Sequence, residues 1–116
     1  MKYEIDATAN LAIITVLGNC DVPVLTEIMK SVTSDSLFNS KTKILIDKSQ
    51  VNSSPTKEEA CYLAEAIASN FNGHKVVTIA PGVCLFGMNR MISTLSEMKG
   101  CQSRVVKTLS EAINSL

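Results

Sequence analysis

At 116 residues the chain suffices for one hydrophobic core, expected as a single domain over residues 1–116. Eleven basic and eleven acidic side chains cancel, so the basic footprint that nucleic-acid binding demands is missing. An apolar content of 46 % without Trp implies a core of Ile, Leu, Val, Ala and Met, and no apolar run reaches the roughly 20 residues that span a bilayer.

The first residues, Met1 to Asp6, lack the apolar stretch and small-residue cleavage site of a signal peptide. A cytoplasmic protein is the expectation. The cysteines Cys20, Cys61, Cys84 and Cys101 are widely spread with no C-x-x-C pair. They read as four reduced thiols, mostly buried, and imply neither metal nor cofactor.

Lys2 to Asp6 and Leu11 to Leu17 are rich in β-formers and flank the short loop Ala7-Thr8-Ala9-Asn10. They predict a β-hairpin. Asp21 is placed to cap a helix with Pro23 in its first turn, and Val22, Leu25, Ile28, Met29 and Val32 form its apolar stripe. Lys43-Ile44-Leu45-Ile46-Asp47 then reads as a central strand buried on both faces. A loop over 48–54 follows it. Ser54 as cap and Pro55 at the first helical position predict the next helix, whose stripe is Ala60, Leu63, Ala64, Ile67 and Phe71.

Lys75 to Ile79 is the fourth strand. A third helix presents Met88, Met91, Ile92, Leu95 and Met98 on one face. Ser103 to Val106 is the fifth strand, and Thr108-x-x-Glu111 opens a short terminal helix with Ala112, Ile113 and Leu116. The predicted order is β-β-α-β-α-β-α-β-α. That is an α/β fold with a mixed, mostly parallel five-stranded sheet flanked by helices.

Catalytic patterns are scarce. The phosphate-binding G-x-x-x-x-G-K-[ST] and G-x-G-x-x-G loops and the G-x-S-x-G elbow are all missing. His74 lies between a helix and a strand with no nucleophile or carboxylate beside it in sequence, and reads as a surface or strand-edge residue. Asp47 ends a central strand, a frequent position for functional acids. The segment Ser49 to Thr56 concentrates hydroxyls before a helix N-terminus. There Ser53, Ser54 and Thr56 are candidates for phosphorylation or anion binding, with simple helix capping as the alternative.

Three segments carry a resemblance: Ile44-Leu45-Ile46-Asp47 preceded by Leu37-Phe38, Phe86-Gly87-Met88-Asn89-Arg90-Met91, and Arg104-Val105-Val106-Lys107-Thr108-Leu109-Ser110-Glu111-Ala112. Together with the element order they make the chain resemble the SpoIIAA-like branch of the STAS superfamily. This is a largely uncharacterised bacterial group likened to the lipid-binding CRAL-TRIO fold. The resemblance implies a non-catalytic regulatory, protein-binding domain, with a protein partner or a second copy of the chain as occupant. The alternative it implies is a carrier of a small apolar ligand or lipid in a pocket between helices and sheet. The family's D-S-S-G phosphorylation motif is replaced by Asn52-Ser53-Ser54-Pro55-Thr56. Phe86, Gly87 and Arg90 match the family's F-G-x-x-R-M signature and join Asp47 as a candidate ligand or partner surface. In the alternative, structural role, Phe86 plugs the core, Gly87 permits close packing and Arg90 pairs with an acid.

Overall fold

The computed structural model describes residues 1–116 and has the order β1 (Lys2–Asp6), β2 (Leu11–Gly18), α1 (Val22–Ser34), β3 (Lys43–Val51), α2 (Lys57–Phe71), β4 (Lys75–Ile79), α3 (Val83–Met98), β5 (Gln102–Val106) and α4 (Leu109–Ser115). The five strands form one mixed sheet in the order β1-β2-β3-β4-β5. β1 pairs antiparallel with β2, and every other neighbouring pair is parallel. The hairpin turn is stabilised by Asp6, whose Oδ1 accepts from the N–H groups of Thr8 and Ala9 at 3.0 and 3.1 Å. It closes with Asn10 at a φ of 51°, a left-handed conformation that Asn tolerates.

The parallel strands advance across the sheet without reversing. α1, α2 and α3 therefore cover one face, the inner one, and bury a continuous core with Ile14, Ile44, Leu63, Phe71 and Val76. α4 packs on the outer face through Ala112 against Leu45, Val77, Ile79 and Val106. Lys43 Nζ donates to the Leu116 carbonyl at 2.7 Å and fastens the end of α4. Ligand crevices in open α/β sheets form where the strand order reverses. This sheet has no such point, so any site must come from its loops or edges.

α1 follows the sequence reading: Asp21 Oδ1 accepts from Val24 N at 3.1 Å, with Pro23 in the first turn. Three other elements depart from it. β3 does not stop at Asp47 but runs to Val51, because β2 continues alongside it and pairs Leu17 with Gln50 and Gly18 with Val51. α2 is capped by Thr56, not Ser54. Thr56 Oγ1 accepts from Glu59 N at 3.1 Å while Thr56 N donates to Glu59 Oε1 at 2.8 Å. This reciprocal pair satisfies two donors at the helix end. The buried residues of α3 are Leu85, Asn89, Ile92, Ser93 and Ser96, and Met98 is 78 % exposed. Of the expected stripe, Ile92 is buried and Met88, Met91 and Leu95 pack half-buried against the core, so Met98 alone leaves it, while the polar Asn89, Ser93 and Ser96 are buried beside them.

The thiols also differ from expectation. Cys101 is buried, Cys20 half-buried, and Cys61 and Cys84 are exposed. Both exposed thiols lie on helix faces that do not meet the sheet.

Candidate functional site

The C-terminal ends of the parallel strands gather the most chemistry. Between Asp47 and Gln50 β3 carries one residue more than β2 spans between Thr15 and Leu17. Such a bulge bends the strand and re-aims side chains. Lys48 sits in it. Strand alternation puts Ile44, Ile46 and Lys48 on the inner face, and Lys48 is only 3 % exposed. Its Nζ donates to Asn89 Oδ1 at 2.6 Å, and Asn89 Nδ2 donates to the Leu85 carbonyl at 2.8 Å. The first bond ties the end of β3 to α3, and the second fixes the Asn89 side chain on its own helix.

Burial pushes the Lys48 amine below the usual lysine range, opposed in part by the nearby Cys20 sulfur. Burial likewise raises the Cys20 thiol. Lys48 counters this, while Glu59 and Asp21 add to it. Lys48, Asn89 and Cys20 were not singled out from the sequence. The period-two continuation of Ile44 and Ile46 gives Lys48. The helical spacing Leu85, Asn89, Ile92, Ser93, Ser96 gives Asn89.

Above this strap lies an open groove of about 360 Å³, lined on one side by Val51 to Ser54 and on the other by Pro81 to Leu85. Ser53 and Ser54 are exposed on its rim, and Ser53 Oγ donates to Asn19 Oδ1 at 3.2 Å. Facing them, α3 begins at Gly82 with no side-chain cap and no acidic residue in its first turn. Gly82 has a φ of 89°, a conformation that any other residue adopts only under strain. Val83, the first residue of α3, is 89 % exposed. Thr56 stands apart from this groove with its hydroxyl engaged in the α2 cap. Asp47 is half-buried on the outer face, where its Oδ1 accepts from Ser49 N at 2.9 Å. The structure therefore brings Ser53 and Ser54 together and leaves Thr56 and Asp47 outside.

Phe86, Gly87 and Arg90 occupy the flank of α3 turned from its buried face. Phe86 is half-buried and outside both core clusters, with Lys107 Nζ 5.0 Å above its ring. A Cβ at Gly87 would meet nothing within 4 Å, so this glycine serves no close packing. The chain's ion pairs are Lys30 with Glu27 and Lys99 with Glu65, so Arg90 has no acidic partner. All three structural roles expected for this segment are corrected for one reason. With α3 turned to bury Leu85 and Asn89, Gly87 faces outward, and Phe86 and Arg90 lie on the flank beside the β5 edge and not in the core. The groove beside them, about 310 Å³, is open and has only two hydrophobic residues among its eight lining residues. It lacks the apolar enclosure in which small apolar ligands are held.

His74 lies at the opposite end of the sheet. Its Nδ1 donates to the Thr42 carbonyl at 2.7 Å and its ring rests 4.7 Å from that of Phe38. The five residues of β4 separate it from the α3 start, about 16 Å at the usual strand rise. Asp47, His74 and Cys84 therefore do not meet. No group of three or more His, Cys, Asp or Glu side chains comes together in a metal-binding arrangement. No helix is long and apolar enough to cross a membrane. No protein-family model and no curated protein matches this chain.

Proposed function

We propose that this chain is a non-catalytic regulatory domain of the STAS type that binds a protein partner through the groove at the ends of β3 and β4. The observation that carries this reading is the pairing across that groove. Exposed Ser53 and Ser54 stand on one wall, and the uncapped start of α3 with projecting Val83 forms the other. Val83 supplies an apolar contact for a partner, and the hydroxyls supply a place to change its charge. A phosphate on Ser53 or Ser54 would add about two negative charges beside unpaired helix N–H groups, a favourable position. The groove would then present an anion where it now presents hydroxyls, and a partner would be gained or lost accordingly. The buried Lys48–Asn89 strap keeps the two walls in register.

The test is affinity capture with the full chain, comparing the natural protein with Ser53→Asp/Ser54→Asp, Ser53→Ala/Ser54→Ala and Val83→Asp. At least one captured protein should change its retention about tenfold between the Asp and Ala forms and be lost with Val83→Asp. An identical set of captured proteins across all four forms overturns the proposal.

A further inference from the structure

β5 is the last strand of the sheet and pairs only with β4. The Val106 carbonyl accepts from Ala80 N at 2.8 Å, on the β4 side. Backbone groups alternate in direction along a strand, so the N–H and C=O groups of Ser103 and Val105 face the open edge. No turn or loop hydrogen bond engages them. A hollow of about 310 Å³ runs along this edge against α3, and a second of about 290 Å³ continues from it past Gln102 to Lys75 and Val76 of β4. The two share Glu97, Ser103 and Arg104. The floor is held firmly, with Ser93 Oγ on α3 donating to Ser103 Oγ at 3.0 Å.

The charge along this edge is one-sided in a chain whose net charge is zero. Arg90 lies on the α3 wall, Arg104 on the strand and Lys75 at the far end, against a single acid, Glu97. Neither arginine has an ion-pair partner. Exposed edges are commonly guarded by charge against self-pairing. Two β5 edges brought together would place arginines near each other and repel. An acidic strand meets the same groups with attraction.

We infer that the β5 edge binds an extended acidic peptide segment of a partner by strand addition. The peptide backbone pairs with Ser103 and Val105, and its carboxylates reach Arg90 on one side and Arg104 on the other. Main-chain bonds of this kind give affinity, and the alternate side chains give selectivity. The open backbone groups call for a peptide rather than a small anion, since a lone phosphate leaves the strand edge unpaired. This inference is independent of the groove formed by Ser53, Ser54 and Val83.

The experiment is fluorescence anisotropy with the full chain and a labelled peptide repeating Glu-Glu-Val-Val, which presents carboxylates on both faces of a strand, alongside its Gln-for-Glu counterpart. The acidic peptide should bind at least tenfold more tightly. Arg90→Glu and Arg104→Glu should each weaken it about tenfold, the equivalent of one charge-assisted contact. Both arginines are exposed, so these variants keep the fold, which circular dichroism verifies. Hydrogen exchange should show new protection of the Ser103 and Val105 amides when the acidic peptide is present. Equal binding of the two peptides, no binding of either, or unchanged exchange at those amides overturns the inference. So does a chain whose only response to Arg104→Glu is self-association, because Arg104 would then merely guard the edge.

Discussion

α2 and α3 lie side by side on the same face of the sheet, yet different forces hold them there. α2 presents Ala60, Leu63, Ala64, Ile67 and Phe71 to the core, none more than 3 % exposed. The buried face of α3 instead carries Asn89, Ser93 and Ser96 beside Leu85 and Ile92. Its polar groups are all engaged: Asn89 with Lys48, Ser93 with Ser103, and Ser96 with the carbonyls of Ile92 and Ala64. α2 starts in a reciprocal cap, whereas α3 starts at Gly82 without one. Apolar burial is strong but non-directional, while hydrogen bonds are individually weak and fix distance and angle. α2 is thus anchored by what it buries and α3 by where its bonds hold it. α3 borders both proposed binding surfaces, so the segment that must meet partners is the one registered by directional contacts.

The largest expected effect comes from breaking the α2 anchor. Phe71 is fully buried, and Phe71→Ala should lower stability by about 4 kcal/mol in urea titrations. Ser93→Ala on α3 should cost about 1 kcal/mol. A comparable loss for the two variants would break the distinction between the helices.

Next in size is Asn89→Ala. It removes the only hydrogen-bond partner of the buried Lys48 amine and should cost about 2 kcal/mol near neutral pH. The pH dependence has a definite sign. Burial holds the folded Lys48 below the value of 10.5 that it regains on unfolding. Between those two values the unfolded chain binds the extra proton, so this group's contribution to stability rises with pH. Below the window the amine is charged in both states and the full burial penalty applies. The natural protein should therefore gain stability relative to Lys48→Met as pH climbs through the window toward 10.5. The Cys20 and Cys101 thiols, raised by burial, act oppositely as pH rises past their usual 9.0. The difference between the natural protein and Lys48→Met removes most of that contribution. A flat difference across the alkaline range would show that burial does not lower the Lys48 amine.

The same contrast explains what could be read from the sequence. The β1–β2 hairpin and helices α1 and α2 announce themselves because their cores are apolar and periodic. Leu25, Met29 and Val32, or Leu63, Ile67 and Phe71, have no competing pattern. α3 carries two overlapping stripes. Met88, Met91 and Leu95 pack half-buried at the margin of the core, but the most deeply buried face is Leu85-Asn89-Ile92-Ser93-Ser96, where small polar residues let α3 sit close to β5 and α2. Hydropathy cannot rank a polar stripe above an apolar one without knowing that partners wait on the other side. Lys48 was hidden in the same way. A charged residue after Asp47 reads as the end of a strand until β2 is known to continue beside it. Of the candidate residues, Ser53 and Ser54 fall on a groove because the loop is short and exposed. Thr56 was displaced by capping chemistry, since Glu59 stands three residues on.

Smaller effects test the ends of the two helices. Thr56→Ala removes the hydroxyl of the α2 cap and should cost about 1 kcal/mol. Gly82→Ala on α3 imposes backbone strain of about 1 kcal/mol, because φ there is 89° and space around the position is open. The equal size of these two losses would conceal different outcomes. Only Gly82→Ala should alter partner capture, because only Gly82 lines the groove.

The smallest effect lies on the surface that joins the two helices. Lys99, at the end of α3, reaches Glu65 of α2 at 2.8 Å, but the side chains are 44 % and 64 % exposed. Water screens such a pair and two long side chains must be ordered to make it, so Glu65→Gln should cost less than about 0.5 kcal/mol. The cost should vanish in molar salt, where the screening length falls to about 3 Å. Chemical denaturation with urea, which leaves ionic strength free to vary, measures both. A loss near that of Asn89→Ala would mean that α3 is registered from its exposed end as much as from Lys48, and the buried strap would lose its special standing.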